Sequence, residues 1–225
     1  MCGLGGSCSK HDAVPEEIIA KLSAGVAFRG PDGHGSWNSP DGSVRMLHHR
    51  LAILDLTEAG RQPMTSACGN YVVVFNGEIY NFRELRKELA ESGARLTSSS
   101  DTEVLLQLWV REGERCLARL RGMYAFALWD GTKRRLHLSR DPLGIKPLYY
   151  AQSDGAFSFC SLARPLAQAS QARRICPDGL GAFLQCGSIP APYTLWQDVR
   201  AVPPGGSVVW DQESGALAEG KRGRV

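Results

Sequence analysis

A chain of 225 residues with 43% hydrophobic content is long enough for one sizeable core, and that balance excludes the disordered and collagen-like classes. The formal net charge of +3 is spread thinly, with basic residues interleaved among acids, so neither a nucleic-acid stripe nor a juxtamembrane polybasic patch is expected. The seven cysteines form no CxxC or Cys/His pair of metal-ligand spacing, which argues against a disulfide framework or structural metal, and no stretch approaches the ~18 apolar residues of a membrane span.

The chain opens Met1-Cys2-Gly3, without the basic and apolar regions of a secretory leader. If Met1 is removed, Cys2 carries a thiol and a free α-amino group on one carbon, so nucleophile and base come from one residue. By itself a second-position cysteine is more often a small buried hydrophobe. Helical spacing of apolar residues follows over Pro15 to Gly25. The polar, glycine-rich segment Arg29 to Gly35 has the composition of a mobile loop able to lie close to a ligand, and standing alone it reads first as a surface turn.

A strand-like run covers Val44 to Leu54, with His49-Arg50-Leu51 at its edge; Arg50 there could grip a carboxylate, although structural ion pairs are the commoner use of arginine. A second run, Tyr71 to Phe75, breaks into Asn76-Gly77-Glu78 before helical spacing over Phe82 to Ser92. Asn-Gly reads first as a hairpin turn, but a helix follows here, which favours a second reading. An Asn amide beside a glycine N–H is a two-donor pair suited to an oxyanion. Asn81 and Asp101 are expected as helix N-caps, Asp101 before the run Thr102 to Arg111, whose Val104, Leu105, Leu108 and Trp109 share a face.

Further strands are expected over Met123 to Trp129, Leu136 to Ser139, Leu148 to Ala151 and Ala156 to Cys160, separated by the turn signals Asp130-Gly131 and Asp154-Gly155. Strands outnumber helices and mostly neighbour one another antiparallel, which predicts an α+β fold of packed sheets covered by helices and not a doubly wound parallel sheet.

In order, Met1-Cys2-Gly3, Arg29-Gly30-Pro31-Asp32-Gly33, His49-Arg50-Leu51, Phe75 to Asn81, Ser100-Asp101-Thr102-Glu103, Gly122 to Asp130 and Arg140 to Tyr150 resemble the motifs of class II glutamine amidotransferases. Within that group the chain resembles the N-terminal glutaminase domain of glutamine-hydrolysing asparagine synthetase, over residues 2 to about 211, including Gly187 to Thr194 and Pro203 to Gly206. The resemblance implies an N-terminal nucleophile hydrolase fold, a four-layer αββα sandwich of two mostly antiparallel sheets. It also implies that Cys2, freed of Met1, attacks the glutamine amide with its own amine shuttling the proton. Asn76 and the Gly77 N–H would hold the oxyanion, Arg50 the α-carboxylate, and Glu78 and Asp101 the α-ammonium. The Arg29 to Gly35 segment would be the lid. Arg140 and Asp141 read as fold-holding, and Lys146 and Tyr149 as interface candidates.

The resemblance implies no cofactor for glutamine hydrolysis. ATP belongs to the synthetase half, whose pyrophosphatase loop is absent from residues 1–225, as are Walker A and GxGxxG motifs. The expectation is therefore a cytoplasmic domain that takes L-glutamine and passes ammonia to a synthetase-type protein partner, with no nucleic acid or membrane involved and a homodimer left open. An amidotransferase for another acceptor, or a silent glutamine-binding subunit, are the alternatives. Residues 212–225 are expected to be a frayed tail. Phe28, where many relatives have histidine, and Ser161-Leu162-Ala163-Arg164, where the family usually reads Ser-Glu-x-Lys, depart from the pattern; the second puts coupling to a standard synthetase domain in doubt.

Overall fold

The computed structural model describes residues 1–53, 55, 57–153 and 155–221. Twelve described strands form two sheets of six. The first contains β1 (Gly3–Ser9), β2 (Gly33–Asn38), β3 (Val44–Arg50), β8 (Tyr149–Ser153), β9 (Ala156–Cys160) and β10 (Val199–Ala201), ordered β10-β8-β9-β1-β3-β2. The second contains β4 (Met64–Thr65), β5 (Tyr71–Ile79), β6 (Gly122–Asp130), β7 (Arg135–Arg140), β11 (Gly206–Asp211) and β12 (Leu217–Lys221), ordered β12-β11-β7-β6-β5-β4. Every described strand pair is antiparallel. The described helices are α1 (Glu16–Val26), α2 (Phe82–Glu91), α3 (Asp101–Glu112), α4 (Ala163–Ala169) and α5 (Pro177–Cys186).

The period of two along a strand sorts its side chains into layers. Val72 and Val74 of β5 enter the core between the sheets, with Leu4, Met46, Phe159 and Trp210, while Val73 and Phe75 join Leu105, Leu108 and Trp109 of α3 on the outer face. A third cluster places Ile19, Leu22 and Val26 of α1 and Leu166 of α4 against Leu47 and Cys160 of the first sheet. Two helical layers thus enclose two sheets, and residues 72–75 are all buried because both faces of β5 are covered. Tyr150, Phe157 and Trp210 stack in series through the inter-sheet core, with 5.7 Å between successive ring centroids. No described helix is long and apolar enough to cross a membrane.

Several expectations change. The glycine-rich start is a strand, because β1 lies between β9 and β3 and close neighbours dictate its composition: a Cβ on Gly6 would come within 2.6 Å of the Arg45 carbonyl oxygen and the Phe159 ring. Asn76-Gly77 is neither a turn nor a strand end. β5 runs through it to Ile79, pairing Asn76 with Ala125 and Gly77 with Tyr124. Ser100 caps α3, its hydroxyl accepting the Glu103 N–H at 3.2 Å, and Asp101 is the first helical residue. The Asn81 side chain does not cap α2; it accepts from the Arg121 N–H and donates to the Arg119 carbonyl, both at 3.0 Å.

The glycine-rich 29–35 segment is half strand, since Gly33 to Asn38 form β2 against β3. The expected strand from Val44 ends at Arg50, while its proposed end, Leu54, lies outside the described residues, as does Asp154 of the Asp-Gly turn. The tail contributes β12, which pairs with β11 from Gly206↔Lys221 to Trp210↔Leu217. Asp141 is fully buried and accepts the amides of Tyr124, Leu143, Ile145 and Lys146, while Arg140 donates to the carbonyls of Gly144, Lys146 and Val202, which gives both a fold-holding place.

Candidate active site

One cleft opens where the start of β1, the end of β3, the second half of β5 and the N-terminus of α3 meet. Cys2, Arg50, Asn76, Gly77, Glu78 and Asp101 all line it. Because the sheets stack face to face, residues from both reach the same space: Cys2 and Arg50 from the first, Asn76 to Glu78 from the second.

Cys2 is partly buried, and its sulfur accepts the Leu51 N–H at 3.4 Å. Burial pushes the thiol pKa up; the Leu51 amide, the N-terminal amine and Arg50 pull it back, while the Asp101 carboxylate adds to the rise. The resting group is therefore a thiol, and it would need a base to act as a nucleophile. Arg29 Nε donates to the Cys2 carbonyl at 3.0 Å and orients the residue. Met1 also lines the cleft, so its removal would open space there as well as free an amine.

Asn76 lines the cleft too; it is 2% exposed, and its Nδ2 is buried with no hydrogen-bond partner. A buried, unpaired amide costs about 1–3 kcal/mol, a cost that no partner within the protein offsets at Asn76 Nδ2. Strand geometry puts the Gly77 N–H on the edge of β5 away from β6. Along β5 the N–H of Phe75 points to the Gln62 Oε1 at 2.6 Å and that of Ile79 to the Asp101 Oδ2 at 3.0 Å. With a period of two, the Gly77 N–H between them emerges on the same edge. Only glycine fits here: a Cβ would lie 2.3 Å from the Met123 carbonyl oxygen.

The cleft's charges are divided. Arg50 donates through Nη1 to the Thr57 carbonyl at 3.0 Å and through Nη2 to the Asp55 carbonyl, so its guanidinium is oriented without being neutralised by a carboxylate in those bonds. Asp101 and Glu78 supply the negative side. Burial raises the Asp101 pKa to about 6 against opposing hydrogen bonds from Ile79, Thr102 and its own amide, and the neighbouring Glu78 charge raises it further.

Lys146 lines the cleft as well, while Tyr149 is not among the lining residues. Asp55, Gln62 and the side of α3 around Thr102 also line it, and no local motif marks Asp55 or Gln62 in the sequence. Their contribution runs through hydrogen bonds between distant segments, such as Gln62 Nε2 to Thr102 Oγ1 at 3.1 Å. Among the described residues no group of three or more His, Cys, Asp or Glu is placed to hold a metal ion.

The profile of the glutamine amidotransferase domain matches residues 1–219. The chain belongs to that family. The amidotransferase domain is 38% identical over 209 residues to asparagine synthetase [glutamine-hydrolyzing] 1 of Bacillus subtilis, covering 91% of this chain and 33% of the relative. It is 31% identical to putative asparagine synthetase [glutamine-hydrolyzing] 2 of Methanocaldococcus jannaschii, covering 94% of this chain and 44% of the relative. The domain thus spans a third to less than half of these relatives. In fold it is similar to glutamine phosphoribosylpyrophosphate amidotransferase from B. subtilis, with a TM-score of 0.71 and 22% identity over 98% of this chain and 49% of that one. The fold is that of the N-terminal nucleophile hydrolases, as the sequence resemblance implies.

Proposed function

We propose that this amidotransferase domain hydrolyses L-glutamine to L-glutamate and ammonia through a γ-glutamyl thioester on Cys2, and supplies the ammonia to an asparagine-synthetase-like protein. The observation that carries the reading is that Asn76, whose Nδ2 is buried and unpartnered, lines the same cleft as Cys2.

In the first step the Cys2 sulfur bonds to the glutamine amide carbon, and the thiol proton passes to the α-amine exposed by loss of Met1. The carbonyl oxygen becomes an oxyanion held by Asn76 Nδ2 and the Gly77 N–H. As the tetrahedral centre collapses, the C–N bond breaks and the amine returns the proton to the leaving nitrogen, which departs as ammonia. Water then adds to the thioester carbon and expels the sulfur, leaving glutamate. Arg50 pairs with the substrate α-carboxylate, while Glu78 and Asp101 face its α-ammonium. Simple amides would leave these groups unpaired and are rejected.

The glutaminase step needs no cofactor; ATP is required only where the acceptor is activated, on the synthetase-like partner. The free state of all seven cysteines suits a reducing cytoplasm. Acid-quenched intact mass spectrometry of the glutamine-treated chain tests the mechanism. A γ-glutamyl adduct mapped to Cys2 is expected, and turnover with the adduct elsewhere, or with none in any variant, would reject it.

A further inference from the structure

Asp55 is a carboxylate held by four donors from two segments of chain. One oxygen accepts the Thr57 N–H at 2.8 Å and hydroxyl at 2.6 Å, and the other accepts the Ser99 N–H at 2.8 Å and hydroxyl at 3.0 Å. The residue is 4% exposed, and the Thr57 and Ser99 bonds hold its carboxyl well below the usual carboxylate range against the cost of burial. Four donors converging on one side chain require an acceptor-only group, which is the ionised form.

What these bonds join is specific. On one side, the carbonyls of Asp55 and Thr57 are the two acceptors that orient the Arg50 guanidinium. On the other, Ser99 precedes Ser100, the cap of α3, and Asp101, its first residue. The Ser99 end is braced independently, since Glu103 accepts the amides and hydroxyls of both Thr97 and Ser98. Among the described residues, Asp55 to Ser99 is the hydrogen-bonded side-chain link between segment 50–60 and segment 97–101. The two segments deliver the cation and a carboxylate to the same cleft.

We propose that Asp55 is a positioning residue that sets the spacing between Arg50 and Asp101, and thereby the domain's selectivity for an amide bearing both an α-carboxylate and an α-ammonium. The inference rests on the glutaminase reading above and extends it to a residue that need not touch substrate. A small displacement of the Asp55–Thr57 carbonyls or of the Ser99–Asp101 stretch would spoil simultaneous engagement of both charged ends, while leaving the oxyanion donors on β5, and Cys2, held by the Leu51 amide at the end of β3, where they are.

Asp55→Asn keeps the shape but turns one arm into a donor, so it can serve Thr57 or Ser99 and not both. The test compares two labels of Cys2 on the Met1-free chain: a glutamine-shaped diazoketone, which uses the α-groups, and iodoacetamide, which lacks them. The expected result is diazoketone inactivation slowed by about tenfold or more, iodoacetamide alkylation unchanged, and KM for glutamine raised with kcat retained. Ser99→Ala, which keeps the Ser99 N–H bond, should give a smaller slowing of the same kind. Equal slowing of both labels would show a general disturbance and overturn the proposal, as would no slowing of either. A parent chain alkylated at Cys2 by iodoacetamide yet untouched by the diazoketone would instead reject the glutaminase reading, and the proposal with it.

Discussion

Replacing Asn76 with alanine separates catalysis from stability more sharply than any other change at this site. The Nδ2 atom is buried and unpartnered, so in the resting protein the substitution removes no hydrogen bond from that atom. It relieves an uncompensated donor, worth about 1–3 kcal/mol, and loses packing of comparable size, so the net change in unfolding free energy should stay within about 1 kcal/mol. In the transition state the same atom would face a full oxyanion. Removal of one such donor typically lowers kcat by ~10²–10³-fold, or about 2.7–4 kcal/mol, without raising KM in proportion. Steady-state glutamate release and thermal unfolding of the Asn76→Ala variant measure the two sides. Asn76→Asp, which puts a carboxylate where negative charge develops, should be at least as inactive. A kcat within a few-fold of the parent, or a large loss of stability with normal kcat in the folded fraction, would refute the oxyanion role and make Asn76 a structural residue.

The remaining predictions concern charge and burial. Asp101, raised to about 6, should leave glutamine affinity intact above that pH and weaken it as the carboxylate protonates below, so KM rises as pH falls through 6, while this group's contribution to the stability of the free protein increases over the same fall. The sign follows from proton uptake: the folded state binds the extra proton between the ordinary carboxylate range and about 6, so this group's contribution to stability falls as pH rises through that window, and Asp101→Asn should raise Tm at neutral pH. Glu103→Ala orphans the amides of Thr97 and Ser98 and should cost about 2–4 kcal/mol in urea unfolding. Burial raises the Cys2 thiol, whereas a hydrogen bond from Ser66 and nearby backbone bonds lower the exposed Cys68 thiol. With Met1 in place, iodoacetamide should therefore reach Cys68 first, as read by peptide mapping at neutral pH.

Where apolar side chains declare a period, the fold could be read directly. The face Val104, Leu105, Leu108 and Trp109 expected of a helix is buried in α3, and the run from Met123 to Trp129 lies within β6. β1 carried no such signal. Its residues Gly3 to Ser9 form a strand because the neighbouring strands and α1 leave room for little else, which is a tertiary constraint and not a propensity. The Asn76-Gly77 dipeptide misleads for the same reason: local preference favours a turn, and pairing across nine residues of β6 overrides it. The residues Cys2, Arg50, Asn76, Gly77, Glu78 and Asp101, which share one cleft, stand in the sequence within ordered motifs. Asp55, Gln62 and Ser99 do not, since each acts through a partner far away in sequence, 44 positions in the case of Asp55 and Ser99. Arg29 lay in view within the glycine-rich segment, but its bond to the Cys2 carbonyl required the coordinates.

The account stands most directly on glutamine turnover by the purified chain after its N-terminus has been read by intact mass, with Cys2→Ala run in parallel. Equal amounts of glutamate and ammonia from the chain that begins at Cys2, and none from Cys2→Ala or from chain retaining Met1, is the predicted result. Glutamate release that survives Cys2→Ala, or its absence from a Met1-free chain both alone and with an asparagine-synthetase-like partner, would contradict it.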